Sequence, residues 1–70
     1  MSSPIQLMVN GEPRQAPAGL HLEAVLVTLG YQPRLVVVEF NGTILPRSQW
    51  QQQPVVHSDV LEVVTIVGGG

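Results

Sequence analysis

Ile5, Leu7 and Val9 fall on one side of the stretch Ile-Gln-Leu-Met-Val, at the period of two that marks a half-buried β-strand. Asn10-Gly11 follows, a pair that tolerates positive φ, so the chain turns tightly into a hairpin. The returning strand, about Arg14 to Ala16, sits between Pro13 and Pro17. Prolines lack the N–H that a central strand must donate, which places this strand at a sheet edge. The period then changes. Leu22, Val25, Leu26 and Leu29 recur at i, i+3, i+4 and i+7 and predict a helix of about two turns with one apolar stripe. Glu23 suits the positive end of its dipole, and Gly30 stands where a left-handed C-terminal cap is favoured. His21 occupies the place where Ser, Thr or Asp would cap the first turn, so the helix start is set only to within a residue or two.

Beyond Pro33 the β-branched run Leu35-Val36-Val37-Val38-Glu39-Phe40 ends at Asn41-Gly42 and is followed by Thr43-Ile44-Leu45, a second hairpin. Arg47 to Gln53 is polar apart from Trp50 and reads as a turn or short helical piece, with the indole closing one end of the core. Asp59 to Val67 is the longest strand, in which Leu61, Val63 and Thr65 alternate with Val60, Glu62, Val64 and Ile66. One amphipathic helix can cover only one face of a sheet. The order strand, strand, helix, strand, strand, strand therefore predicts an α+β fold, a mixed sheet of four to five strands with one helix packed on one face. Val64 and Ile66 fall on the uncovered face, where apolar residues suggest a partner interface.

Seventy residues close a single small core. We read residues 1–67 as one domain and residues 68–70 as a flexible glycine tail. The net charge of −2, with three Arg and no Lys, argues against nucleic-acid binding, which needs clustered cations to neutralise phosphates. No apolar run is long enough for a signal peptide or a membrane span, so a soluble, untargeted protein is expected. The lack of cysteine fits a reducing cytosol and removes thiolate and Cys-zinc chemistry. The remaining inventory is poor for catalysis. His21 and His57 are far apart, Ser48, His57 and Asp59 make no convincing triad, and His57 with Asp59 lacks the further ligands of a metal site. Neither catalytic residues nor metal ligands are expected.

The last strand runs directly into Gly68-Gly69-Gly70 and a carboxylate. A phosphate-binding glycine loop would need a following helix, and none can follow here. A glycine tail, about 10 Å long when extended, can instead pass through a channel too narrow for any side chain. It would bring its carboxylate to another protein's active site.

These features together resemble the ThiS family, the sulfur carriers of thiamine biosynthesis. The resemblance rests on the Asn10-Gly11 hairpin, the stripe Leu22, Val25, Leu26, Leu29, the run Val38-Glu39-Phe40-Asn41-Gly42, the stretch Pro46-Arg47-Ser48-Gln49-Trp50, and Asp59-Val60 leading to Gly69-Gly70. It spans essentially the whole chain. Two departures are His21, where the family usually has Thr or Ser, and the additional Gly68 before the usual pair.

The resemblance implies a ubiquitin-like β-grasp fold in a cytoplasmic protein that is a co-substrate and not an enzyme, monomeric when free. It also implies that a ThiF-like adenylating enzyme, consuming ATP and Mg that this chain does not itself bind, converts the Gly70 carboxylate to an acyl adenylate. A persulfide donor then supplies sulfur to make a Gly70 thiocarboxylate, and a ThiG-like thiazole synthase accepts Gly68, Gly69 and Gly70 and uses the sulfur. Two alternatives share the activation step: a carrier like the small subunit of molybdopterin synthase, and a ubiquitin-like protein modifier. The Pro46 to Trp50 stretch favours the thiamine branch. The absence of lysine fits what the resemblance implies, since a guanidinium does not attack an activated acyl group as a free amine does.

Overall fold

A computed structural model describes residues 3–66. Its elements run β1 (Ile5–Val9), β2 (Glu12–Ala16), α1 (Leu22–Thr28), a 3-10 turn (Pro33–Leu35), β3 (Val36–Phe40), β4 (Thr43–Ile44), a longer 3-10 segment (Arg47–Gln52) and β5 (Val60–Thr65). The five strands form one sheet in the order β2-β1-β5-β3-β4. β1 and β5 are parallel and every other pairing is antiparallel. With α1 on one face, this is the ubiquitin-like β-grasp arrangement expected from the sequence.

Both Asn-Gly turns form as expected, with Asn10 at φ 52° and Asn41 at φ 51°, each followed by a glycine of positive φ. The first returning strand is longer than its prolines suggest and begins at Glu12. In a two-residue hairpin the flanking pair, Val9 and Glu12, is hydrogen-bonded, so Met8 and Pro13 form the next, non-bonded pair. Pro13 thus directs its missing N–H outward, where no neighbouring strand needs it. The second hairpin is shorter than expected at both ends. Leu35 belongs to the 3-10 turn that Pro33 initiates, and β4 stops at Ile44, although the Leu45 N–H still donates to the Val38 carbonyl at 3.1 Å.

The start of α1 resolves the question left by His21. Its backbone is extended (φ −84°, ψ 170°) and its Nδ1 accepts the Ala24 N–H at 3.2 Å, so the imidazole serves as the cap. At the other end Gly30, at φ 98°, donates to the Val27 carbonyl and Tyr31 donates to the Leu26 carbonyl, the paired bonds of a Schellman cap. Replacing His21 by Ala is expected to cost about 1 kcal/mol, a fall in melting temperature of about 4–8 °C in a domain this small. His21→Ser should restore most of it, and thermal unfolding followed by circular dichroism measures both.

The buried residues run from Leu7 to Val63: Leu7, Val9 and Ala16 of the first hairpin, Leu22, Val25 and Leu26 of α1, Val36 and Val38 of β3, Trp50, Val55, and Leu61 and Val63 of β5. All are apolar, and among the described residues no polar or charged side chain is buried. Trp50 closes one end of this core as expected, its Nε1–H donating to the Leu45 carbonyl at 2.9 Å. Arg47 lies over the indole, 5.4 Å from the ring centroid, and its Nη2 reaches the carbonyls of Val36 and Arg34. The Pro46 to Trp50 stretch is therefore a clamp between the core and the entry to β3.

Candidate functional site

The functional question falls on β5, because the chain passes from it to the terminal glycines. β5 lies in the middle of the sheet, between β1 and β3. Both hairpin turns hold it. The Asn10 Oδ1 accepts the Val63 N–H at 2.7 Å while its Nδ2 donates to the Val63 carbonyl at 3.1 Å. From the opposite side, the Asn41 Oδ1 accepts the Val60 N–H at 2.8 Å, and its Nδ2 donates to the Asp59 Oδ1. Asp59 in turn accepts the Val56 N–H through Oδ2, which orders the loop before the strand. Each asparagine is placed by its turn's left-handed backbone, so residues that make the turns also fasten the strand that leads to the tail.

Register fixes what each face of β5 offers. Leu61 and Val63 point to α1 and are buried, while Val60, Glu62 and Val64 point away from it. Val64 is 63% exposed and Ile66 45% exposed, as expected for residues of an uncovered face. Val64 lies opposite Val37 of β3, itself exposed, and the Ile66 N–H donates to the carbonyl of Leu35, also exposed. Four apolar side chains thus border the place where the described chain ends. Glu39 and Glu62, directly opposite each other, bound this patch on the side away from Ile66. Val37 and Leu35 were not singled out from the sequence, yet for Val37 the signal was present: in Val36-Val37-Val38 successive residues point to opposite faces, so the middle one cannot join its neighbours in the core. The strand itself ends at Thr65, earlier than expected. Gly68, Gly69 and Gly70, the expected site of modification and insertion, lie outside the described residues, as does Val67.

Both histidines and Asp59 are engaged in holding the backbone. His21 caps α1, and the His57 Nδ1 accepts the Gln6 N–H at 3.1 Å. Asp59 bonds to the Val56 N–H and Asn41, while Ser48 sits exposed in the 3-10 segment. Ser48, His57 and Asp59 show no hydrogen bond to one another, so nothing orients a nucleophile or a base. Among the described residues, no group of three or more His, Asp or Glu could hold a metal ion. A surface depression of about 410 Å³ on Pro4, Gln15, Ala16, Pro17 and Ala18 contains no titratable side chain. No helix among the described residues is long and apolar enough to cross a membrane.

The described residues thus give a sheet clasped at both turns, with an apolar patch at the end of its central strand. The ThiS family model matches residues 7–70, from the first buried leucine through the last glycine. The chain belongs to the ThiS family. A crystal structure of thiamine biosynthesis protein ThiS from Geobacter metallireducens superposes with a TM-score of 0.77 at 33% identity, covering 94% of this chain and all of that one. Two proteins named thiazole synthase are also similar. The one from Paramagnetospirillum magneticum is 42% identical over 66 residues and that from Magnetococcus marinus 38% over 66 residues, each match covering 94% of this ThiS-family chain. The chain spans about a fifth (20%) of the length of each of these two synthases.

Proposed function

We propose that this ThiS-family chain is a sulfur carrier for thiazole formation in thiamine biosynthesis, and that its working group is the Gly70 carboxylate. The family match that continues through Gly70 is the observation that supports this reading most strongly. The exposed apolar patch of Val64, Ile66, Val37 and Leu35, at the end of the described chain, supports it independently.

A carboxylate resists nucleophiles because its oxygen is a poor leaving group. A ThiF-like enzyme overcomes this with ATP and Mg. A Gly70 oxygen attacks the α-phosphorus, pyrophosphate leaves, and the acyl adenylate now has AMP as its leaving group. The terminal sulfur of a persulfide attacks the acyl carbon and expels AMP. A thiol then takes the S–S bond, which releases the Gly70 thiocarboxylate and leaves a disulfide on the donor side. A ThiG-like thiazole synthase receives Gly68, Gly69 and Gly70, and the thiocarboxylate gives its sulfur to the ring. The chain supplies the handle and the platform, and catalytic groups and nucleotide belong to its partners. The two synthases that contain a segment like this chain support a thiazole synthase as acceptor, in preference to a molybdopterin synthase or a lysine of a target protein.

Intact mass of the chain after incubation with an adenylating enzyme, ATP, Mg and a persulfide donor tests the proposal. Replacing one oxygen by sulfur adds about 16 Da. The gain should localise to a C-terminal peptide and increase further by the mass of the alkyl group on treatment with a thiol-selective alkylating agent, which converts the thiocarboxylate to an alkyl thioester. A mass that never changes would remove the carrier reading.

A further inference from the structure

We propose that the edge of β5 at Thr65 is a strand-addition site for an extended segment of the thiazole synthase that receives the tail. The inference rests on the carrier reading above and adds to it how the acceptor holds the strand.

The argument starts from which edge each peptide of β5 uses. Along a strand, residues two apart send N–H and C=O to the same side. The Val60 carbonyl accepts from Asn41 N and the Ile66 N–H donates to Leu35, so the even-numbered residues of β5 bond toward β3. The odd-numbered residues bond toward β1: the Leu61 carbonyl accepts from Asn10 N. β1 then ends at Val9, and the chain turns away into β2. The next odd residue, Val63, is satisfied by the Asn10 carboxamide, which stands in for the missing strand at both the N–H and the carbonyl. Thr65 is the one after. By the same alternation Thr65 and Val36 form a non-bonded pair, so the Thr65 N–H and carbonyl face the β1 side, past the end of β1 and past Val63, which holds the Asn10 carboxamide; among the described residues no turn, loop or side-chain hydrogen bond reaches them. On the other edge, pairing with β3 continues through Val36 opposite Thr65.

β5 is thus covered on one edge and open on the other where it approaches the tail. The remaining long edge of the sheet is blunted, since β2 directs the N of Pro13 outward and Pro17 follows immediately after its last residue. An open donor and acceptor pair on β-branched Thr65, one residue before Ile66 of the apolar patch, is the feature that β-strand addition uses. A protein that draws the tail into its own site must lie against this end of β5. An extended segment there would form two backbone hydrogen bonds with Thr65 while its side chains meet Val64 and Ile66. A second copy of this chain would gain the same two bonds without the tail contact.

Thr65→Pro tests the idea, because it deletes the free N–H and blocks the edge while removing no bond to β3. The melting temperature is expected to stay within a few degrees of wild type, and affinity for the thiazole synthase to fall about tenfold or more. Thr65→Ala, which alters the side chain alone, should stay within about twofold. Amide exchange on the wild-type chain provides a readout that needs no variant: Thr65 N–H should exchange quickly in the free protein and become protected on adding the synthase, whereas Val64 N–H is protected throughout. Wild-type binding with Thr65 still unprotected, or equal affinity of Thr65→Pro, overturns strand addition and leaves the carrier reading intact. Protection of Thr65 that rises with concentration of the chain alone also overturns it, in favour of self-association. Failure of the wild-type chain to bind any thiazole synthase overturns this inference, and sulfur loading of Gly70, read separately by mass, then decides whether the carrier reading falls too.

Discussion

Removing Gly69 and Gly70 is expected to abolish sulfur transfer to background while leaving the melting temperature of the domain unchanged. Among the described residues the buried ones lie between Leu7 and Val63, and the backbone bond to β3 nearest the C-terminus is made by Ile66, so the core is assembled from residues that the deletion leaves in place. The chemistry, in contrast, has no substitute. Every described acid has its own position in the sheet or loops, and none sits at the end of a side-chain-free tether that could enter a narrow channel. Val64→Asp is the complementary case. It keeps the Gly70 carboxylate but places a charge in the apolar patch around Ile66, where Val64 is exposed enough for the domain to remain folded. Affinity for the tail-accepting enzymes should fall about tenfold, with adenylation restored at high enzyme concentration. A truncated chain that still acquires sulfur, seen by intact mass, would show that Gly70 is not the acceptor. A truncated chain that melts well below wild type would show that the terminal glycines contribute to the fold.

Much of the architecture was legible because it rests on local physics. Asn10-Gly11 and Asn41-Gly42 demanded positive φ, the stripe from Leu22 to Leu29 demanded a helix, and one helix allowed only one covered face. The position of β2 at an edge followed from its prolines. Its true start at Glu12 did not, because that depends on which side of the ladder Pro13 faces, and this is set by register with β1. His21 as a cap was obscured because imidazole is an uncommon choice, and only the extended backbone at that residue shows Nδ1 aimed at Ala24. The reading of Val64 and Ile66 as exposed needed nothing beyond alternation along one strand. Their neighbours Val37 and Leu35 needed the pairing of β3 with β5. The open peptide at Thr65 needed still more: the parallel register of β1 on β5, the length of β1, and the reach of a single asparagine. Information that depends on two segments meeting is absent from any pattern within one of them.

The same distinction sets the second large effect, which concerns the stretch Pro46-Arg47-Ser48-Gln49-Trp50. Trp50→Ala is expected to leave the domain mostly unfolded at 25 °C. The indole is 2% exposed and packs in the single core cluster, so truncation removes a large apolar side chain and leaves a cavity, at about 3–5 kcal/mol. A domain of this length has a total stability of only about 5 kcal/mol. The change also leaves the Leu45 carbonyl without its Nε1–H donor and removes the surface over which the Arg47 guanidinium rests. Trp50→Phe separates these contributions. It keeps most of the buried area and loses the indole bond, so a cost of about 1–2 kcal/mol is expected, with a cooperative transition preserved. Urea unfolding of both variants measures the difference. Sulfur loading should follow the folded fraction in each, because Trp50 is buried in the core with α1 and has no place on the exposed face of Val64 and Ile66. A Trp50→Phe chain that is fully folded yet cannot be loaded would overturn this assignment and give the Arg47–Trp50 clamp a direct part in meeting the activating enzyme.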